Sequence, residues 1–281
     1  MNFKNLLLAF PFAIIPAFSW LFIFYEKDKY DPEPKKIILQ TFLVGVAMCF
    51  PFIFLRHVMS WLNVDFFFFN ETVSVVLFAL LEETAKISAA IFVVNHNKVE
   101  FNQVIDGAVY AITAALGFSF MENMFYLSGF NAINGNMQGF MGIVLFRSLG
   151  TMLAHALFSG LAGMIWAYAY FSKQISPFNK KNLLSFELRD WVNHEILSLH
   201  IIRKNILKGL PSRRGGHEKQ ALVMEGMMLA VFLHVVFNLT TTLQLFGKNL
   251  TFLIVPLLMT GFLYVSYLFT KRMNTKILKV V

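Results

Sequence analysis

The segment VSVVLFALLEETAKISAAIFVVN, residues 73–95, is an apolar run that carries Glu82, Glu83 and Lys86 near its middle. A membrane-spanning helix needs about 20 predominantly apolar residues, so this run is long enough to cross a bilayer. Charged side chains inside such a helix are costly, and they usually face other helices or a wet cavity rather than lipid. The segment therefore predicts a membrane helix that turns an ionisable face toward the interior of a bundle.

The rest of the chain has the composition of a membrane protein. Of its 281 residues, 57% are hydrophobic and only 14% are charged, which is far less charge than a soluble domain carries. We expect an all-α fold, a polytopic bundle of about seven transmembrane helices (six to eight) that forms a single membrane-embedded domain over residues 1–281. The predicted spans are 6–25, 37–55, 73–95, 104–127, 148–171, 221–246 and 250–270.

Basic residues indicate how the chain is oriented. If the seven spans alternate, 19 of the 24 Lys and Arg residues fall on one side, four fall on the other, and Lys86 lies within a span. The positive-inside rule then places the N-terminus outside and the C-terminus in the cytoplasm. The same asymmetry accounts for the net charge of +8 without a nucleic-acid partner.

The loop 172–220, between the fifth and sixth spans, holds ten of these basic residues. Its apolar residues recur mostly at spacings of three or four, which predicts a basic amphipathic helix on the cytoplasmic leaflet. This helix is either a spacer that rests on the membrane or a regulatory, partner-binding element.

Polar residues recur in three other spans. They are Glu122 and Asn123, with Tyr126 one turn on, in the fourth; His155, with Ser159 one turn on, in the fifth; and His234 and Asn238 in the sixth. At about 1.5 Å per residue, the acidic, imidazole and amide groups lie roughly 8–18 Å below the outer ends of their spans. Helices that place ionisable groups at one depth predict a shared site in the outer half of the bilayer.

Single residues in this set have simpler explanations. Glu83 could only pair with Lys86 one turn away, and Arg147 could extend toward the membrane surface. Asp106 and Glu225, near the cytoplasmic ends of their spans, are expected to serve packing. Two histidines, the glutamates and an asparagine at one depth together favour a functional site.

The residue types favour addition of water to an acyl carbon. A carboxylate in an apolar site can act as general base, an imidazole can share the proton, and an Asn amide can stabilise an oxyanion. There is no G-x-S-x-G motif, and the single cysteine, Cys49, is not near a candidate histidine in the sequence, which disfavours a covalent intermediate. We expect no cofactor, with zinc held by Glu82, His155 and His234 as the alternative.

Five motifs resemble the PrsW-type intramembrane proteases, relatives of the CAAX prenyl proteases and of the Aph-1 subunit of γ-secretase. They are YEKDKYDPEPKK (25–36), EETAK (82–86), DGAVYAITAALGFSFMENMFY (106–126), RSLGTMLAHALFSGLAG (147–163) and HVVFN (234–238). The resemblance covers about residues 20 to 245, in order and in spacing.

The resemblance implies a bacterial membrane endopeptidase that cuts membrane-tethered or single-span proteins. The substrate class it suggests is an anti-sigma factor, cut first on its extracytoplasmic side. The corresponding catalytic residues are Glu82, Glu83, Glu122, His155 and His234. Because Glu122 stands where the CAAX proteases carry histidine, prenyl-protein processing is not expected. The resemblance leaves the oligomeric state open.

The candidate site residues divide into catalytic and supporting residues. Glu82 activates water with help from Glu83 or Glu122, and His155 shares protons or polarises the peptide bond. His234 and Asn238 stabilise the oxyanion. The supporting residues are Lys86, which fixes the glutamate pair, Tyr126 and Arg147.

Two rival functions remain at the level of sequence. Buried Glu and His residues also form the proton relays of transporters. A non-catalytic scaffold like Aph-1 is the second rival, although that lineage is expected to lack the glutamate pair.

Overall fold

The computed structural model describes residues 3–28, 31–61, 71–129, 137–171, 216–242, 244–245, 248–249 and 251–271, and in these ranges the chain is a bundle of helices. The helices are α1 (Phe3–Tyr25), α2 (Lys35–Trp61), α3 (Glu71–His96), α4 (Val104–Gly129), α5 (Met137–Leu145), α6 (Met152–Phe171), α7 (Gly216–Thr242) and α8 (Thr251–Lys271). Two-residue strands, β1 (Gln244–Leu245) and β2 (Lys248–Asn249), pair antiparallel between α7 and α8. The predicted all-α class is confirmed.

Five helical stretches are long and apolar enough to cross a membrane, judged by length and composition among the described residues. They are Phe3–Tyr25, Lys35–Leu55, Val104–Gly129, Met137–Phe171 and Lys219–Thr241. The predicted count of seven also includes α3, which carries the charged residues of its middle, and α8, whose apolar stretch Pro256–Ser266 is shorter. The predicted orientation of the termini stays a prediction.

Several predicted boundaries shift. The sixth span begins at Gly216, so residues 216–220 belong to α7 rather than to the loop. The amphipathic helix predicted within 172–220 falls mostly on 172–215, outside the described residues.

The fifth span begins earlier than its predicted start at residue 148. Helix α5 begins at Met137 and continues through a π-helical turn, Phe146–Thr151, into α6. Short π-helical turns interrupt the regular ladder of helical hydrogen bonds and are frequent at functional sites. This turn sets the direction of Arg147 and precedes His155 by one helical turn.

Helix α4 lies at the centre of the bundle, and all residues from Ile105 to Phe120 are buried. Its contact with α6 is close because glycines face each other there. A Cβ atom placed on Gly163 would collide with the carbonyl oxygen of Gly107 and with the Ala111 side chain. Small residues at a helix interface let two membrane helices approach closely. This approach brings the polar residues of α4 and α6 together.

At the end of the bundle where α1 connects to α2, a second polar cluster is buried. The Asp106 carboxylate accepts hydrogen bonds from the backbone N–H groups of Asn102 and Gln103, at 2.9 and 2.6 Å, and so caps the start of α4. Glu33 is 3% exposed and accepts a hydrogen bond from the Tyr110 hydroxyl. Burial, together with the nearby Asp106 carboxylate, raises the pKa of Glu33 to about 9.

The shift at Glu33 predicts how stability depends on pH. Because the pKa rises from 4.5 in the reference state to about 9 in the fold, the folded chain holds a proton that the unfolded chain has lost between these values. Stability should therefore fall as pH rises through this window. We expect Glu33→Gln to melt at a higher temperature than the wild type at pH 8, with the difference shrinking toward pH 5, in thermal unfolding followed in detergent.

The control is Asp31→Asn, which changes an exposed carboxylate two residues away that accepts a hydrogen bond from Gln103 at 2.7 Å. A Glu33→Gln variant whose stability falls with pH as steeply as that of the wild type would contradict the assignment.

The close approach of α4 and α6 gives a second prediction. Gly163→Ala should destabilise the fold by about 1–3 kcal/mol, the usual cost of overpacking. The matched control is Gly142→Ala in α5, where nothing lies within 4 Å of an added Cβ. Because alanine favours a helix over glycine by about 1 kcal/mol, the control should be neutral or stabilised in denaturant unfolding. Equal stability of the two variants would show that the α4–α6 contact tolerates an added methyl group.

Candidate active site

Glu83, in α3, is fully buried, and hydrogen-bond donors engage both of its carboxylate oxygens. Oε1 accepts from Lys86 Nζ at 2.7 Å and from His234 Nδ1 at 2.8 Å. Oε2 accepts from Ser159 Oγ at 2.8 Å. These donors come from α3, α6 and α7, so this one carboxylate ties three helices together. With its oxygens engaged, Glu83 is suited to hold other groups in place.

Glu82, the preceding residue, is in a different environment. Its side chain is 17% exposed, and its Oε2 atom lies 3.7 Å from both Lys86 Nζ and His234 Nε2. Among the described residues, no group forms a hydrogen bond with this buried oxygen. Glu82 is therefore the member of the pair whose carboxylate is open to accept a proton.

The two imidazoles, His155 and His234, lie beside each other with ring centroids 5.1 Å apart and planes at 83°. Since the Nδ1–H group of His234 donates to the Glu83 carboxylate, its Nε2 atom keeps a lone pair that faces Glu82. Nδ1 of His155 contacts the Lys86 ammonium, and Nε2 lies 3.3 Å from Glu122 Oε2.

Arg147 points into the bundle rather than toward the membrane surface, so the alternative that it only extends to the interface is wrong. Its Nη2 atom lies 3.1 Å from Glu122 Oε2, and its Nε–H group donates to Asn123 Oδ1. The guanidinium also lies over the Tyr126 ring, 3.8 Å from the centroid. The physical reason is the Glu122 carboxylate, whose Oε2 atom is buried, because a buried charge is costly unless a charge of opposite sign pairs with it.

The structure thus brings most of the predicted site residues into one contact network. Its members are Glu82, Glu83, Lys86, Glu122, His155 and His234, with Arg147 and Tyr126 attached through Glu122. Asn238 is half-buried one turn beyond His234 in α7, and its role at the oxyanion stays a prediction.

The sequence assigned no role to two residues that contact the network. Ser159 donates to Glu83, and the ring of Phe118 lies 5.0 Å from Lys86 Nζ. The place of Ser159 one turn after His155 in an apolar helix was a usable signal. The abundance of Phe in this chain conceals Phe118, because 33 phenylalanines give no reason to select one.

The residues predicted as zinc ligands lie together, but a cation already contacts two of them. Glu82, His155 and His234 each offer a ligand atom, and the three atoms lie within 4.8 Å of one another. Two His and one Glu are the donor types of hydrolytic zinc sites. However, the Lys86 ammonium contacts His155 Nδ1 and lies 3.7 Å from Glu82 Oε2. A positively charged group already lies among the ligand atoms, so in this arrangement the residues do not fit a bound zinc ion.

Comparison with known proteins places the chain among membrane proteases. Residues 33–186 match the family described as PrsW family intramembrane metalloprotease. This range includes Glu82, Glu83, Glu122 and His155 and ends before His234. No solved structure matches the chain.

Curated relatives named Protease PrsW match the chain, and three of them show how far the match extends. The Geobacillus kaustophilus protein is 33% identical over 161 residues, which is 57% of this chain and 66% of that protein, just under two thirds of its length. The Bacillus subtilis protein is 33% identical over 163 residues, covering 57% of this chain and 68% of the relative. The Oceanobacillus iheyensis protein is 32% identical over 201 residues, covering 71% and 83%.

The hydrogen bond from Ser159 generates a third prediction. Ser159→Ala removes one of the donors to a fully buried carboxylate, so we expect a loss of about 1–3 kcal/mol in stability. The matched control is Ser119→Ala in α4, a buried serine whose hydroxyl has no hydrogen-bond partner among the described residues. The control should be neutral or stabilised. Denaturant unfolding of both variants checks this, and equal losses would show that Ser159 contributes only packing.

Proposed function

The chain belongs to the PrsW family of intramembrane proteases, and we propose that it hydrolyses a peptide bond of a membrane-tethered or single-span protein at the cluster formed by Glu82, His155 and His234. The observation that carries this proposal is the unequal environment of the glutamate pair. Glu83 is held by donors from three helices, while Glu82 keeps an oxygen open beside the lone pair of His234.

Glu82 acts as the general base in this proposal. An O–H bond of water breaks as its proton passes to the Glu82 carboxylate, and the water oxygen bonds to the carbonyl carbon of the substrate. When the C–N bond then breaks, the proton moves from Glu82 to the leaving nitrogen. Glu82 returns to its carboxylate form, and no covalent bond to the enzyme is formed.

His234 and Asn238 lie on one face of α7, and in this proposal they stabilise the negative charge that develops on the substrate oxygen. Nε2 of His234, 3.7 Å from Glu82 Oε2, can share the proton that Glu82 takes up. Asn238 supplies an amide N–H group to the oxyanion. With its Nδ1–H group bonded to Glu83, the His234 ring is held in one orientation and one tautomer.

Glu122 and Arg147 support His155 from the opposite side of the cluster. Because Nδ1 of His155 contacts an ammonium, which only donates, Nε2 carries the proton and faces Glu122 at 3.3 Å. Arg147 balances the charge of Glu122. With both ring nitrogens engaged, the His155 ring is held in one tautomer and one orientation beside Glu82 and His234.

The substrate is proposed from chemistry and resemblance together. A cluster among membrane helices suits a peptide segment that enters from the bilayer. The depths of the polar residues along their spans favour cleavage toward the outer leaflet. The resemblance favours a bacterial cell membrane, and the distribution of Lys and Arg favours a cytoplasmic C-terminus. A membrane-tethered anti-sigma factor, cut first on its extracytoplasmic side, meets these conditions.

Substitution of the proposed base gives the fourth prediction. Glu82→Gln should lower the cleavage rate of single-span substrates in proteoliposomes by about 10²–10⁴-fold, the usual contribution of a general base. Its stability should stay close to that of the wild type, since no hydrogen bond to Glu82 Oε2 is lost. By contrast, Glu83→Gln should lose both activity and stability, because Glu83 is bonded to three donors.

The control for this experiment is Glu26→Gln, an exposed carboxylate beyond the end of α1. Full cleavage by folded Glu82→Gln would reject Glu82 as the base. Solute flux without cleavage of any peptide would instead favour a proton-coupled transporter.

A further inference from the structure

Lys86 is a fully buried lysine whose ammonium lies among two carboxylates and an imidazole. Its Nζ atom lies 2.7 Å from Glu83 Oε1 and 3.7 Å from Glu82 Oε2, and it contacts His155 Nδ1. The Phe118 ring lies on another side, with its centroid 5.0 Å from Nζ, at a distance where a ring face attracts a cation. The side chain is thus seated among the acidic and imidazole groups of the site.

The place of this ammonium overlaps with that of a metal ion. The ligand atoms of Glu82, His155 and His234 lie within 4.8 Å of one another, and the ammonium contacts the first two of these residues. A zinc ion needs ligand nitrogens at about 2.0–2.1 Å with their lone pairs free. The Nδ1 lone pair of His155 already receives the ammonium, and Nε2 of His155 faces Glu122. A divalent ion here would therefore lie beside a second positive charge and would lack one imidazole ligand.

A count of charges indicates that the ammonium and a divalent ion exclude each other. The network holds three carboxylates, Glu82, Glu83 and Glu122, and two basic side chains, Lys86 and Arg147. With neutral imidazoles, its formal charge is −1, which one proton on a carboxylate would neutralise. A divalent ion would change the charge to +1 unless Lys86 left the site. A buried network is least costly when its charges balance, and an added proton can neutralise a charge of −1 but not one of +1. The ammonium and a metal ion therefore compete for one position.

We propose that the Lys86 ammonium is the resident cation of this site and takes the position that a divalent metal would hold, so that this chain cleaves its substrate without a bound metal. The claim that cleavage needs no metal rests on the proposed function. The claim that Lys86 occupies the metal position does not depend on cleavage. Lys86 then has two roles: it fixes Glu83 and His155, and it leaves the proton-accepting oxygen of Glu82 available.

The test measures metal uptake by the purified full chain in detergent. Zn²⁺ bound per chain is determined by equilibrium dialysis and elemental analysis, and Co²⁺ is added as a probe because its visible absorption reports tetrahedral coordination. Since five of the seven histidines lie outside the cluster, each variant is also prepared with His155→Gln and His234→Gln. Uptake that depends on these two histidines counts as uptake by the site.

We expect the wild type to show no site-dependent Zn²⁺. Lys86→Met, which keeps the side-chain length and removes the charge, should bind one Zn²⁺ per chain and gain the Co²⁺ absorption. Lys86→Arg, which keeps the charge, should behave as the wild type. Incubation with 1,10-phenanthroline should leave the cleavage rate of the wild type within about twofold of the untreated rate, because removal of metal takes away no contact to the transition state.

One site-dependent Zn²⁺ per wild-type chain would overturn the proposal, as would cleavage that phenanthroline abolishes and Zn²⁺ restores. Folded Lys86→Met that takes up no site-dependent metal would overturn the claim that the two cations share a position. If Lys86→Met fails to fold, the wild-type measurement decides. Because metal uptake needs no substrate, absence of cleavage would count against the proposed function alone.

Discussion

The buried ion pair between Lys86 and Glu83 is the interaction on which the arrangement of this bundle depends. Both side chains are fully buried, and their charged atoms lie 2.7 Å apart within one helix. Breaking a buried pair by removing one partner typically costs about 3–5 kcal/mol, because the remaining charge is left without compensation. This pair is satisfied only when Ser159 and His234 also reach Glu83. Helix α3 must therefore face α6 and α7, which excludes arrangements in which its charged face meets lipid.

The ion pair of Lys86 with Glu83 places the adjacent residues Glu82 and Glu83 in different environments, so their carboxylates have different chemical roles. Consecutive residues on a helix point about 100° apart, so only one glutamate can lie at the centre of the donors. Glu83 takes that position, and Glu82 is left at the edge, 17% exposed. The π-helical turn before α6 acts similarly on the other side, because it aims Arg147 at Glu122 and so leaves His155 between an anion and a cation.

The composition of the site is predictable from the sequence, whereas its internal geometry is not. Charged residues within apolar runs identify both the spans and the residues that must meet, because each is too costly to leave facing lipid. Depth along a helix follows from counting residues, but rotation about the helix axis does not. That rotation separates the roles of Glu82 and Glu83 and turns Arg147 inward. It is set by contacts between helices such as that of Gly107 with Gly163, and by a π-helical turn that no apolar periodicity announces.

A tethered ammonium differs from a metal ion in what it leaves for the chemistry. A metal ion bound by Glu82 and His234 would use the lone pairs that these groups need in order to accept a proton. The Lys86 ammonium neutralises the surrounding carboxylates from 2.7 and 3.7 Å, yet it forms no coordinate bond and cannot dissociate into the solvent. Because the ammonium carries a single charge, the cluster keeps a net charge of −1. It can therefore accept one proton, as a general base must. The same donor set can thus support hydrolysis through a carboxylate, provided that the lysine stays in its place.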